Sequence, residues 1–428
     1  MRFINLRLLS ALVCVAGALP GAAPLDITRD WLVIFRENLH NTLQFWIDHS
    51  VDREYGGLLG RLDQQGNAKP PGNKSVVLES RALWSFAEAY RRFPDPAYQR
   101  MAAECLTFLR EKMWDKEHGG YYFLVTREGK VLDSTKQLNP LSYVLEGLAE
   151  YAIAFHDDQA RREAVQLFEV IDQHAHDNEH GGYHIAFTAD WQWIKDYKPG
   201  PNASGSFGRK SYDWHLGLLE ALTTAYDVTG DARIRARVDE LLDIFVNKIV
   251  DPEIGYGRYY FTEDWTVADR NGDSRECEYG LDLEASWLLT EAASVVGRNQ
   301  DPKIRRASLA LVDHALRYGF DNERGGLYRT GPAKGPATNR DMEWWQQAET
   351  LVAFLNAYQL TGDPKYFTAF ELEAQFVDNH FVDHTYGEWY TAISHDGKTD
   401  TEKTGPWKAP YHVTRACLEV ISRLGRTL

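Results

Sequence analysis

Apolar residues recur every three or four positions through a dozen segments of this chain, with short stretches rich in Asp, Gly and Pro between them. The segments are Ile27–Asp48, Leu78–Phe93, Pro96–Met113, Leu138–Phe155, Arg161–His174, Ser211–Val228, Asp231–Ile249, Leu281–Val296, Pro302–Tyr318, Met342–Leu360, Pro364–Asn379 and Pro410–Leu424. Side chains three and four apart share one face of a helix, so the pattern predicts about twelve helices. Thr229-Gly230-Asp231 and Thr361-Gly362-Asp363-Pro364 each stop one helix and start the next.

The polar stretches repeat. Asp115-Lys116-Glu117-His118-Gly119-Gly120-Tyr121 and Asp177-Asn178-Glu179-His180-Gly181-Gly182-Tyr183 are nearly identical. Copies beginning at Asp52 and Asp321 keep the frame, and those at Asp251 and Asp383 are degraded. The first Asp residues fall 63, 62, 74, 70 and 62 residues apart, the signature of stacked supersecondary units. Asp accepts bonds from nearby backbone N–H groups and paired glycines permit φ > 0, so each copy predicts a tight turn or small hairpin at a helix end. Twelve helices in six hairpins close into an (α/α)6 barrel. The helices that follow each turn form its inner ring, because they are the more aromatic set and begin with polar residues. Their starts form a funnel mouth where a ligand binds. The loops Lys198–Lys210, Asp264–Glu278 and Arg329–Asp341 are expected at its rim.

Composition narrows the function. The chain has 428 residues, 44% hydrophobic, with 13 Trp, 22 Tyr and 19 Phe, enough for one large core. A net charge of −15 argues against a nucleic-acid partner. Acidic and aromatic side chains together suit a sugar cleft. At the start, Arg2 and Arg7 precede an apolar run from Leu8 to Leu19, then Pro20-Gly21-Ala22-Ala23. This reads as a secretory signal peptide over 1–23, followed by a single barrel domain over 24–428. It implies export to a periplasm or the exterior, with no membrane span in the mature chain. Cys105, Cys277 and Cys417 then remain, as buried thiols. No His–Glu or Cys cluster has metal-ligand spacing, so neither metal nor cofactor is expected. The partner is a small-molecule sugar, and the protein is a monomer or homodimer.

The inner-helix starts supply the candidate site: Arg81 on the first, Asn139 and Tyr143 on the second, and Asp213 and His215 on the third, with Glu220 a turn later. The fourth carries Asp282 and Glu284, the fifth Trp344, Trp345 and Glu349, and the last Trp407, Tyr411, His412 and Arg415. Three segments among them are similar to motifs of the N-acylglucosamine 2-epimerase and cellobiose 2-epimerase family, which includes mannose isomerases. They are Glu343-Trp344-Trp345-Gln346-Gln347-Ala348-Glu349, Trp407-Lys408-Ala409-Pro410-Tyr411-His412-Val413-Thr414-Arg415, and Tyr279-Gly280-Leu281-Asp282-Leu283-Glu284-Ala285-Ser286-Trp287. Arg81-Ala82-Leu83-Trp84 matches as well.

The resemblance covers most of the mature chain and implies the (α/α)6 fold on its own account. It also implies a reaction: the sugar ring opens, the proton beside the carbonyl is removed, and the enediolate is reprotonated. His412 then corresponds to one acid/base residue. Arg81 stabilises the enediolate, Glu284 or Asp282 assists ring opening, and His215 is the spare imidazole. Tyr143, Asn139, Asp213, Asp282, Trp344, Trp345, Glu349, Trp407 and Tyr411 are expected to bind the sugar. Two positions depart from the family pattern. Leu281 stands where it has the His of Gly-His-Asp, and Gly217 where it tends to place a His three residues before Glu220. Epimerisation needs proton transfer on both faces of C2, whereas a single base can move a proton between C1 and C2. The departures therefore favour isomerisation or weakened epimerisation. A hydrolase or lyase using Asp213, Asp282, Glu284 and Glu349 is a second reading, and a sugar-binding member without activity a third.

Overall fold

The computed structural model describes residues 25–195, 197, 209–268 and 276–427. The predicted signal peptide lies outside them, as do most of the loop before the third inner helix and part of the loop before the fourth. Twelve α-helices are present among the described residues: α1 (Leu25–His49), α2 (Val76–Arg92), α3 (Pro96–Phe108), α4 (Leu138–Phe155), α5 (Asp158–Ala175), α6 (Tyr212–Thr229), α7 (Ala232–Ile244), α8 (Tyr279–Val295), α9 (Pro302–Tyr318), α10 (Trp344–Thr361), α11 (Pro364–His380) and α12 (Tyr411–Thr427). Single π-turns, Leu109–Met113 and Phe245–Ile249, extend α3 and α7. No described helix is long and apolar enough to cross a membrane.

The even-numbered helices form a closed inner ring in which α2, α4, α6, α8, α10 and α12 pack in that order and α12 returns to α2. This is the expected (α/α)6 barrel. Burial separates the two rings. In α2 every residue from Val76 to Ala89 is buried. In α5 only Ala160, Ala164, Leu167, Phe168, Ile171 and Ala175 are buried, a single stripe at helical spacing. Cys105, Cys277 and Cys417 are free and buried.

Each of the six repeated stretches folds as a hairpin at the end of an outer helix, closed by antiparallel bridges such as Val51↔Leu58, Trp114↔Tyr121 and Phe320↔Leu327. The leading Asp accepts two backbone N–H bonds, as in Asp177 Oδ1 from Glu179 at 2.9 Å and His180 at 3.1 Å. Gly182 shows why the second glycine is needed: its φ is +71° and an added Cβ would lie 2.5 Å from the Trp265 ring.

Two further devices tie the hairpins to the inner ring, and the sequence reading identified neither. A buried lysine from the segment before the inner helix reaches back to the turn Asp. The pairs are Lys74–Asp52 (3.0 Å), Lys136–Asp115 (2.8 Å), Lys210–Asp177 (2.7 Å) and Lys403–Asp383 (3.0 Å). The fourth residue of an inner helix accepts the backbone N–H that follows the hairpin. Glu79 bonds Leu58 at 2.8 Å, His215 bonds Tyr183 at 3.0 Å, Asp282 bonds Gly257 at 2.9 Å and Gln347 bonds Leu327 at 2.7 Å. These bonds satisfy backbone donors that burial would otherwise orphan, and they fix where each inner helix begins.

Candidate active site

With the helix starts fixed, the second, sixth and ninth residues of each inner helix share one face, and that face lines the barrel axis. They include Asn139, Tyr143 and Glu146 on α4, Asp213, Gly217 and Glu220 on α6, Glu284 and Trp287 on α8, Trp345 and Glu349 on α10, and His412 on α12. A cavity of about 480 Å³ opens at the funnel mouth, lined by Arg81, Asn139, Tyr143, Asp213, Glu284, Trp344, Trp345, Trp407 and His412 among others. Nine of the thirteen expected site residues therefore meet in one place. Trp214, Glu220, Tyr259, Tyr260, Glu278, Leu281 and Arg329 complete most of the lining.

Four expected residues lie elsewhere. His215 and Asp282 sit at the fourth helical position, two residues past the inward one and so about 200° around the helix. Both imidazole nitrogens of His215 are engaged, Nδ1 with the Ser211 carbonyl at 2.7 Å and Nε2 with the Tyr183 N–H. His215 is thus not brought to the cavity, and the structure gives it the hairpin-tying role instead. Asp282 has the same role. Glu349 and Tyr411 lie beneath the cavity, buried, where they hold other site residues.

The floor is an ionic cluster centred on Arg415, which the sequence placed among the inner-helix starts without giving it a role. Its guanidinium donates to Glu220, to Glu284, to Glu349 at 2.7 Å and to the Tyr411 hydroxyl at 2.8 Å. Tyr411 in turn donates to Glu146 at 2.8 Å. Three carboxyls around one buried cation cannot all ionise freely. Burial pushes Glu220 and Glu284 up to about 7, against the pull of Arg415. Burial raises the Glu349 carboxyl above its usual range, while three donors, from Arg415 at 2.7 Å, from His412 Nδ1 at 2.8 Å and from Trp287 Nε1 at 3.0 Å, pull it back toward the anion.

His412 is therefore an oriented base. With Nδ1 bonded to Glu349, the proton belongs on that nitrogen and Nε2 carries the free lone pair. Burial, with Arg81 and Arg415 nearby, holds its pKa well below the usual imidazole range, so the ring is neutral near pH 7. Arg81 stands over the Tyr143 ring, 4.1 Å from its centroid. It donates to the Trp407 carbonyl at 2.5 Å and the Tyr143 hydroxyl at 2.6 Å. Its buried Nε has no hydrogen-bond partner and, among the described residues, no carboxylate pairs with it directly. Trp345 and Trp344 lie against His412, ring centroids 5.8 and 6.5 Å away, and both line the cavity.

A match to the family model for N-acylglucosamine 2-epimerase (GlcNAc 2-epimerase) spans residues 57–416. The chain belongs to this family. It is 32% identical over 386 residues to a cellobiose 2-epimerase of Bacteroides fragilis, covering 89% of this chain and 95% of that one. A D-mannose isomerase of Marinomonas mediterranea is 24% identical over 398 residues, covering 90% and 96%. The solved structure of a cellobiose 2-epimerase from Bacillus thermoamylovorans superposes with a TM-score of 0.85 at 29% identity, covering 92% of this chain and all of that one. Among the described residues, two clusters bring metal-binding residue types together. Glu284, Glu349 and His412 are one, but their oxygens are engaged by Arg415. Cys277, Asp282 and His314 are the other, fully buried and one ligand short of a closed structural zinc site.

Proposed function

We propose that this protein is an isomerase-class enzyme that acts at C2 of an aldose, or of the reducing-end sugar of a disaccharide, by removing the C2 proton. One observation carries the reading: a neutral His412, oriented by Glu349, faces the same cavity as an Arg81 guanidinium that, among the described residues, has no carboxylate on it. His412 Nε2 takes the proton from C2 of the open-chain sugar. Arg81 stabilises the charge that develops on the carbonyl oxygen. Trp344, Trp345 and Trp407 supply apolar surface for the sugar rings, and Glu284 lies within the cavity for hydroxyl recognition and ring opening. The relatives named as epimerases and isomerases support this reaction class. The hydrolase reading is disfavoured because Glu284 and Glu349 are bound to one arginine and Asp282 points away. Export, inferred from residues 1–23, places the substrate outside the cytoplasm.

The test is proton exchange in D2O with mannose, glucose, cellobiose, mannobiose and N-acetylglucosamine, followed by NMR. At least one sugar loses its C2 proton to solvent with the unmodified protein, and His412→Ala abolishes that exchange. Exchange that survives His412→Ala, or no exchange with any of these sugars, refutes the reading.

A further inference from the structure

We propose that Asp213 is the second proton carrier of this site, serving the face of C2 that His412 does not reach. The inference rests on the proton-abstraction reading above and supplies what Leu281 and Gly217 leave missing.

Four observations place it there. In the closed ring, α6 lies three helices from α12, directly across the barrel. Asp213 holds the same position on α6, its second residue, as His412 holds on α12, and both line the cavity. A sugar between them therefore presents opposite faces to the two groups. Among the described residues, the buried Asp213 Oδ1 has no hydrogen-bond partner, which fits a carboxyl awaiting a ligand or carrying its own proton. Finally, Gly217, one turn further along the same face, carries no side chain, so no titratable group enters the cavity from that position. A Cβ there would lie 2.4 Å from Asn139 Oδ1, so the Asn139 amide already fills the space where a longer residue would reach in.

The other cavity acids fit less well. Glu220 and Glu284 are held by Arg415 at the floor. Glu278 lies between Glu343 and Asp213, near the Arg329 that pairs with Glu343 at 2.8 Å, and it precedes α8, which is two helices from α12 and so not directly across from His412. Burial also raises the Asp213 carboxyl above its usual range, against the Ser211 and Tyr259 hydroxyls beside it, so the protonated form is accessible as an acid.

The step balances without a co-reactant. His412 takes the C2 proton, and the C–H electron pair becomes the C1–C2 π bond as charge moves to the carbonyl oxygen. Asp213 then gives its proton to C2 from the opposite face, the carbonyl reforms, and solvent resets both groups. From the other epimer the roles reverse.

The test is Asp213→Asn, nearly isosteric, assayed in D2O by NMR for C2 exchange and for epimer formation in parallel, with a thermal melt as a folding check. With the unmodified enzyme both epimers exchange and interconvert. With Asp213→Asn, interconversion falls by about 10²–10⁴-fold, the range for losing one acid/base group. The epimer whose C2 proton faces His412 still exchanges, and the other does not. Loss of both signals in parallel would mean a binding role and overturn the proposal. So would interconversion by Asp213→Asn within a few-fold of the unmodified enzyme, or formation of ketose alone by the unmodified enzyme. If the unmodified enzyme exchanges no sugar at all, the proton-abstraction reading fails instead.

Discussion

The bond from His412 to Glu349 can be tested quantitatively, because the two oxygens of Glu349 have separable tasks. Oε1 accepts from His412 Nδ1 at 2.8 Å and Arg415 at 2.7 Å, while Oε2 accepts from Trp287 Nε1 at 3.0 Å. In Glu349→Gln the carbonyl oxygen takes the Oε1 place, since two donors point there. The amide NH₂ then faces the Trp287 N–H, leaving a buried donor unpaired at about 1–3 kcal/mol in stability. The His412 tautomer survives but its acceptor is now neutral. Bonds to charged groups contribute about 1.5–3 kcal/mol against about 0.5–1.5 for neutral pairs. The difference of about 1–1.5 kcal/mol corresponds to roughly a tenfold loss in turnover as His412 becomes imidazolium. Glu349→Met removes the acceptor entirely and is expected to cost about 10²–10⁴-fold. Glu349 does not line the cavity, so KM is expected to stay within a factor of two or three. The assay is the C2 exchange rate at saturating sugar, with KM from the same progress curves. Full turnover in Glu349→Met would show that His412 needs no orienting acceptor, and the mechanism built on it would fall.

Two stability predictions follow from the same structure. Lys136→Met leaves the Asp115 carboxylate buried without the cation 2.8 Å away, so the barrel loses about 3–5 kcal/mol in denaturant titration; a loss below 1 kcal/mol would assign the pair no tying role. The pH dependence has two limbs. Burial raises Asp52, but Arg127 and Lys74 outweigh it and hold the folded pKa near 2, and Lys136 with backbone bonds does the same for Asp115. This contribution is present above about pH 4 and lost as pH falls toward 2. Burial pushes Glu220 and Glu284 to about 7, and Glu79 and Glu373 to about 8, above their unfolded values near 4.5. The folded state then holds protons that the unfolded chain releases, so stability falls as pH rises from about 4.5 to 8. Thermal melts across pH 3–9 are expected to peak near pH 4–5, and a rise in Tm between pH 5 and 8 would contradict these assignments.

The helices and repeats were legible because their signals are local: apolar spacing, paired glycines and a turn Asp every sixty to seventy residues. The site was legible where a motif named it, as for His412, Trp344 and Trp345. What failed was register. Leu78 and Leu281 were read as helix starts, whereas α2 begins at Val76 and α8 at Tyr279. A shift of two residues rotates the inward face by about 200°, enough to make Asp282 look like a site residue; His215, on a helix read from Ser211 that begins at Tyr212, was named as the spare imidazole and not on register. The lysine ties and the Arg415 cluster were harder still. The Arg415 cluster joins residues from different repeats, such as Arg415 and Glu220 across 195 positions, whereas each lysine tie stays within one repeat, 20 to 33 residues after its turn Asp, and its partners meet only once the hairpin folds back. A usable signal did exist in the inward series, since Glu146 on α4 and Glu220 on α6 both occupy the ninth place of their helices.

That series also explains how the site can diverge while the barrel stays intact. The fourth position of an inner helix ties a hairpin, so its residues are constrained to accept a backbone N–H: Glu79, His215, Asp282 and Gln347 differ in type but all accept one. The second and sixth positions face the barrel axis and make no such bond to a hairpin. Gly217 is at the sixth position of α6, and Leu281, a residue before the hairpin-tying Asp282, borders the cavity. Neither takes part in a tie, so a change of residue at either one leaves the ties between hairpins and inner helices intact. On the proposal above, the wall facing His412 supplies the second proton carrier from one of its inward positions. Asp213 occupies one, four residues before Gly217 on the same face of α6 and across the barrel from His412.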